Sequence, residues 1–340
     1  MEAVVITNPG QGVEAWSVVA RERPSAGPGE VVVRMRAVSL NYRDLMIALG
    51  RYGGPARSGL VVASDGAGVV DEVGAGVTGV RVGDRVMSAY YPTWRSGPYS
   101  DRFEDAGLGI GRNDGVLAGF AVLRAEGVVR IPDAISFEAA STIPCAAVTA
   151  YQALFEGSRR LLPGATVLVQ GTGGVSIFAA QLAKAAGMRV IATTSNEARS
   201  RRLRDLGVAE VIDRSLHPAW ETEAQRLTGG EGVDLVLDVG GGATLASSIA
   251  STRNGGRIAL VGMLGGFAAT IDPLPILFRG LTVDGIHVGS VETSENTVRA
   301  IEAASIAPVI DTIFELGEAP RALAKLAAAA HVGKLVIRVG

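Results

Sequence analysis

Val167-Leu168-Val169-Gln170-Gly171-Thr172-Gly173-Gly174-Val175-Ser176-Ile177-Phe178-Ala179-Ala180 decides how this chain is read. An apolar run of β type enters a glycine-dense turn, and an alanine-rich helical pattern leaves it. Such a turn sets backbone N–H groups and a helix N-terminus against a pyrophosphate. Gly171 suits the tight turn and Gly173 lets backbone approach the phosphates. Thr172, Gly174 and Val175 complete the loop. Ser176 stands at the third glycine position of a G-x-G-x-x-G pattern and is small enough for close helix–strand packing. In a chain with 45 glycines the bare pattern is weak. Its context, a strand before, a helix after and a second strand over 189–193, makes it specific.

The 340 residues suggest about two domains. A hydrophobic share of 48% is ample for a core, and a net charge of −2 with scattered Lys and Arg gives no case for nucleic acid. Cys145 is the one cysteine, which excludes an intrachain disulfide and a cysteine metal cluster. No apolar run is long enough to span a membrane, and the first residues read as a strand rather than a leader. A cytoplasmic location is the expectation.

The first 130 or so residues are β-rich, with strands expected over 31–38, 66–73, 84–87 and 120–123, and a short helix over 41–49 closed by Gly50. The segment 89–119 has no clear period and reads as a lobe or a lid. From about Pro132, strand and helix patterns alternate, the signature of a parallel sheet. Residues 281–287 form its sixth, edge strand. Helices over 293–305 and 319–330 and a short strand over 308–310 follow. The closing strand over 334–339 is too isolated for that set and is expected to return to the N-terminal β domain. The expected division is therefore 1–131 with 291–340, and 132–290.

Several short motifs carry a resemblance over nearly the full length. They are Gly29-Glu30-Val31-Val32-Val33, Asn41-Tyr42-Arg43-Asp44, Asp65-Gly66-Ala67-Gly68-Val69-Val70, Val82-Gly83-Asp84-Arg85-Val86, Ile143-Pro144-Cys145-Ala146-Ala147-Val148-Thr149-Ala150-Tyr151, the glycine loop, and Gly333-Lys334. In this order the chain resembles the medium-chain dehydrogenase/reductase superfamily, which includes zinc alcohol dehydrogenases and quinone oxidoreductases. The resemblance implies an α/β fold: a Rossmann doubly wound parallel sheet plus a GroES-like β-rich catalytic domain. The departures are informative. Zinc members bind a catalytic metal through a Cys, a His-Glu pair and a second Cys. Here those positions hold Asn41, Ser64-Asp65 and Cys145. The four cysteines of the family's structural zinc are missing from 89–119. No zinc is expected.

NAD-specific sites carry an acid about 20 residues beyond the glycine loop. That position is Thr194, followed by Ser195 and, one turn on, Arg199, which suit a 2′-phosphate. NADPH is expected ahead of NADH. By position, the resemblance adds Thr149, Val239, Val261, Gly262, Met263, His287, Val288 and Lys334 to the cofactor-binding residues. Without a metal, the groups that would meet the substrate are Asn41, Tyr42, Tyr52 and Cys145. Asn41 equally reads as a helix cap, Asp44 and Asp65 as buried structural partners, the latter of an Arg, and Cys145 as a small apolar filler. The leading expectation is a zinc-independent reductase of enones, quinones or related carbonyl compounds. The alternatives are a metal-free alcohol dehydrogenase or aldehyde/ketone reductase, and a non-catalytic NADP-binding sensor or scaffold. The apolar edge strand implies a homodimer, or a tetramer built from it.

Overall fold

Buried apolar runs along the first strands build a β unit. In the computed structural model, which describes residues 1–103 and 107–340, β1 (Glu2–Ile6) and β2 (Trp16–Ala20) pair as an antiparallel ribbon. β3 (Glu30–Ser39) follows, then α1 (Tyr42–Ala48), β4 (Asp65–Val73), β5 (Arg85–Ser88), β6 (Phe120–Arg124), β7 (Val128–Arg130) and α2 (Phe137–Ser141). Val31, Val32 and Val33 are buried in succession, whereas the flanking Arg34 and Arg36 face solvent. β3 and β4 run so close that a Cβ on Gly68 would sit 2.2 Å from the Arg34 carbonyl oxygen, so only glycine fits there.

The parallel set comes next. It comprises α3 (Val148–Phe155), β8 (Thr166–Gln170), α4 (Gly174–Ala185), β9 (Arg189–Thr194), α5 (Glu197–Asp205), β10 (Glu210–Asp213), α6 (Trp220–Leu227), β11 (Val233–Asp238), α7 (Leu245–Ser251), β12 (Thr252–Leu260), α8 (Leu274–Arg279) and β13 (Thr282–Gly285). The six strands lie in the order β10-β9-β8-β11-β12-β13, all parallel. This is the doubly wound order, and its direction reverses between β8 and β11, where such sheets bind ligands. The chain then adds α9 (Val291–Ala303), β14 (Ile310–Glu315), α10 (Ala319–Ala327) and β15 (Lys334–Arg338). β15 pairs antiparallel with β3 and parallel with β14, completing a seven-stranded sheet.

The chain divides into two compact units, residues 1–148 with 288–340, and residues 149–287. Residues 132–148, placed by sequence texture in the dinucleotide-binding unit, fall in the first. There α2 packs against β3, β4 and β15, and the Ser39 hydroxyl donates to the Ser141 carbonyl at 2.8 Å. The five residues of α2 are too few to carry a helical period, and the alternation that begins near Pro132 does not say which sheet they cover. The segment expected to be a lobe buries Tyr90, Tyr91, Trp94 and Phe103 as one aromatic cluster, joined by Tyr99, Cys145 and Val288. Residues 104–106 of that segment lie outside the described residues. Among the described residues no helix is long and apolar enough to cross a membrane.

Candidate active site

In the second unit, β8 ends at Gln170 and the glycine loop turns into α4. Gly171 has φ +78°, a left-handed conformation that favours glycine, and its N–H donates to the Thr193 carbonyl at 2.8 Å. Gly173 stands at the N-cap of α4. A Cβ placed on Gly171 or Gly173 would meet nothing within 4 Å, so the loop faces open space on the side a pyrophosphate would take. The Ser176 hydroxyl donates to the Gln170 carbonyl at 2.6 Å and ties α4 to the strand end.

The neighbouring strand end is equally fixed. Buried Asp238 accepts from the N–H groups of Gly240 and Gly241 and from the hydroxyls of Thr244 and Ser248. Gln170 Nε2 donates to Ser248 Oγ at 2.8 Å, and Gln170 Oε1 accepts from Val239 N–H at 3.3 Å. At the end of β9, Thr194 is buried, and its hydroxyl has no hydrogen-bond partner among the described residues. Ser195 is exposed and accepts from Arg199 Nη1 at 3.2 Å, while Asn196 caps α5. Thr149 is buried at the start of α3; Val261 and Gly262 are half-buried after β12, Met263 is exposed, and His287 is exposed after β13. Val288 clusters with the first unit instead.

In the first unit, four chain segments converge. Asn41 links β3 to α1 and is buried. Asp44 accepts from the Asn41 N–H through Oδ2 at 2.8 Å, holding the helix start. Asn41 Oδ1 accepts from the ammonium of Lys334 on β15. An ammonium only donates, so it fixes the amide with oxygen inward. Asn41 Nδ2 is then left buried with no partner among the described residues.

Lys334, expected among the cofactor-binding residues, is itself buried, and its Nζ also donates to the Leu40 carbonyl at 2.6 Å. Two of its three donors are spent inside this unit. Lys334 Nζ lies 4.0 Å from Asp65 Oδ2, so the charged partner of Asp65 is a lysine and not an arginine. Asp65 Oδ1 accepts from Ser64 Oγ at 2.6 Å and Oδ2 from Cys145 N–H at 2.9 Å. Burial, and then the nearby Asp65 charge, push the Cys145 thiol up to about 12, so it is a thiol and not a thiolate.

These residues do not fit the zinc that their positions imply. Zinc catalysis takes three protein donors and an open position. Here Asp65 is committed on both oxygens, and a lysine ammonium stands 4.0 Å from it. Among the described residues no three His, Cys, Asp or Glu side chains gather as a ligand set.

Arg43 was noticed in the sequence only as a neighbour of Asp44. It is buried; Nη1 donates to the Leu108 carbonyl at 2.8 Å and lies 3.9 Å from Asp44 Oδ1. Its guanidinium stacks over Tyr90 and Tyr52, at 4.8 Å and 5.6 Å from the ring centres. Burial works to discharge it, yet the guanidinium stays charged, with the Asp44 carboxylate beside it. Burial raises Asp44 to about 6. Tyr52 thus joins the buried group at its rim, 39% exposed, whereas the Tyr42 ring faces solvent.

Residues 27–133 match the family model for an alcohol dehydrogenase GroES-like domain, and residues 174–303 that for a zinc-binding dehydrogenase. A zinc-type alcohol dehydrogenase-like protein of Schizosaccharomyces pombe is 39% identical over 318 residues, covering 92% of this chain and 91% of its own length. The acryloyl-coenzyme A reductase of Metallosphaera sedula is 29% identical over 352 residues, covering 99% of each. A crystal structure of an NAD-dependent alcohol dehydrogenase superposes with a TM-score of 0.91 at 34% identity, covering 100% of both chains.

Proposed function

This chain belongs to the medium-chain dehydrogenase/reductase superfamily, and we propose that it is a zinc-independent, NADPH-dependent reductase of enones, quinones or related carbonyl compounds. The observation that carries the reading is the oriented amide of Asn41: Lys334 holds its oxygen, and the buried Nδ2 has donors to give. In this reading Gly171, Thr172, Gly173, Gly174 and Val175 hold the pyrophosphate through backbone N–H groups. Ser195 and Arg199 hold the 2′-phosphate. Thr149, Val239, Val261, Gly262, Met263, His287 and Val288 orient the nicotinamide half. When bound, the reduced nicotinamide supplies a hydride.

The chain's own residues manage charge. Asn41 Nδ2 donates to the substrate carbonyl oxygen, where negative charge grows as the hydride reaches the far carbon of a conjugated C=C. The Lys334 ammonium behind the amide strengthens that donor. An enolate spreads its charge and asks less of its surroundings than an alkoxide does, which suits a site without a Lewis acid. Cys145, protonated, lines the site without competing for the carbonyl. Tyr52, half-exposed at the rim, delivers the proton that completes the saturated product. The relative named acryloyl-coenzyme A reductase supports a conjugated C=C as the acceptor. The similar alcohol dehydrogenase structure favours the second reading, a metal-free aldehyde/ketone reductase or alcohol dehydrogenase.

The protein acts on a small molecule and, in this reading, as a homodimer. Leu277, Phe278 and Val283 are exposed on α8 and on the edge strand β13, and a second copy covers them by pairing edge to edge. The reaction is tested by following NADPH oxidation with cyclohexenone and with benzaldehyde, before and after chelation, with zinc measured on the same sample. Enone turnover that survives chelation in zinc-poor protein is expected. Turnover confined to benzaldehyde overturns the enone reading, and loss of activity on chelation overturns zinc independence.

A further inference from the structure

Arg43 has hydrogen-bonding capacity that no described residue uses. Its side chain is only 6% exposed, and its Nη1 edge is taken by the Leu108 carbonyl. Nε and Nη2, both shielded from solvent, have no hydrogen-bond partner among the described residues. Those two atoms share one edge of the guanidinium plane, and their N–H bonds form the parallel fork that matches a carboxylate. Among the described residues the nearest carboxylate, Asp44, approaches the other side, at Nη1, and only to 3.9 Å. The rings of Tyr90 and Tyr52 lie against the guanidinium carbon, with their centres 4.8 Å and 5.6 Å away. What is left is in-plane recognition by two oxygens.

We infer that the Nε/Nη2 fork of Arg43 binds a carboxylate on the substrate, which makes the substrate class an enone or enal that also carries an acid group. The word substrate rests on the function proposed above; carboxylate binding at Arg43 does not. Buried cations with an unused fork are costly unless an anion completes them. Lysine would not serve the same end, because it presents a point charge without the planar fork. Entry is from the Tyr52 side. Tyr90 is buried, whereas Tyr52 is 39% exposed and is followed by Gly53 and Gly54, both in the left-handed region with φ +70° and +95°. The ring of Tyr52 swings aside as the carboxylate arrives. Asn41, two residues earlier, supplies the donor for the carbonyl, so one turn of chain recognises both oxygen groups.

The test compares benzoate with benzamide, its neutral analogue, by calorimetric titration of the full chain. It also compares 4-oxopent-2-enoate with its methyl ester in steady-state assays. Arg43→Lys keeps the charge and removes the fork, and its melting curve reports folding; Arg43→Met is a second variant. We expect benzoate to bind wild type and benzamide to bind much more weakly. Arg43→Lys weakens benzoate by about ten- to a hundredfold, the worth of a lost charge-assisted pair. It raises KM for the keto acid while leaving the ester and kcat little changed. Equal binding of benzoate and benzamide, or benzoate affinity retained in folded Arg43→Lys, overturns the inference. Arg43-dependent benzoate binding without any enone turnover sinks the proposed reaction alone. Enone turnover with acid and ester treated alike sinks the carboxylate site alone.

Discussion

The Lys334 ammonium and the Asn41 side-chain oxygen are hydrogen-bonded across 293 residues of sequence, and this contact sets which way the amide faces. Asn41→Ala removes the donor and should lower kcat by about 10²- to 10³-fold, as the loss of an oxyanion donor does. Lys334→Met lets the amide turn and strips a donor from the Leu40 carbonyl, so it should lower kcat comparably and also lower Tm. Because both variants act through one amide, the double variant should lose little more than the worse single one. Additive losses in NADPH oxidation count against this coupling.

Asp44 makes stability depend on pH in an unusual direction for a carboxylate. Burial raises it from 3.8 to about 6, with Arg43 opposing and failing to cancel the rise. Below its ordinary pKa both the folded and unfolded chains hold the proton, and the contribution to stability is complete. As pH rises through about 6, the folded protein resists an ionisation that the unfolded chain has already made, and that contribution is lost. Asp44→Asn keeps an acceptor for the Asn41 N–H and removes the titration. Its Tm, relative to wild type, should climb between about pH 4 and pH 7 and then level off. A Tm difference that is flat with pH contradicts the raised value.

The 2′-phosphate reading rests on Arg199 and Ser195, which meet at 3.2 Å. Arg199→Ala should raise KM for NADPH by about tenfold or more, one charge-assisted pair, and leave KM for NADH unchanged. Ser195→Asp should reverse the preference. Equal effects on both cofactors point to a structural role for the arginine.

Phe278 and Leu277 are 79% and 70% exposed on α8. Phe278→Asp should convert a dimer into a monomer in sedimentation velocity while far-UV circular dichroism stays unchanged. A wild-type chain that sediments as a monomer rules out the proposed pairing.

Much of this was legible in the sequence, for identifiable reasons. The glycine loop and the β/α alternation after Pro132 have local periods, and β8 to β13 appear where those periods place them. Ser195 and Arg199 are one helical turn apart, so their contact follows from spacing. Neither α2 nor the sheet it covers was legible, because five residues are too few to carry a helical period. Nor was the partner of Asp65. Nothing near residue 65 announces a lysine at 334, since β15 reaches it only by pairing with β3. Arg43 read as an ordinary member of the Asn41-Tyr42-Arg43-Asp44 motif. Its burial, and the side of the plane left unused, are properties of the folded chain alone.

The pairing of β15 with β3 also sets a schedule for biosynthesis. Residues 149–287 are one continuous stretch, and all of its strands are made before β15. β3 cannot be finished then: Ala37, Val38 and Ser39 await Arg338, Ile337 and Val336. At about 5–20 residues per second, the roughly 300 residues between them take on the order of 15–60 s to make. Over that interval a strand edge stays open and Asn41 lacks its lysine. Until β15 docks, that edge offers unpaired backbone groups to any other strand.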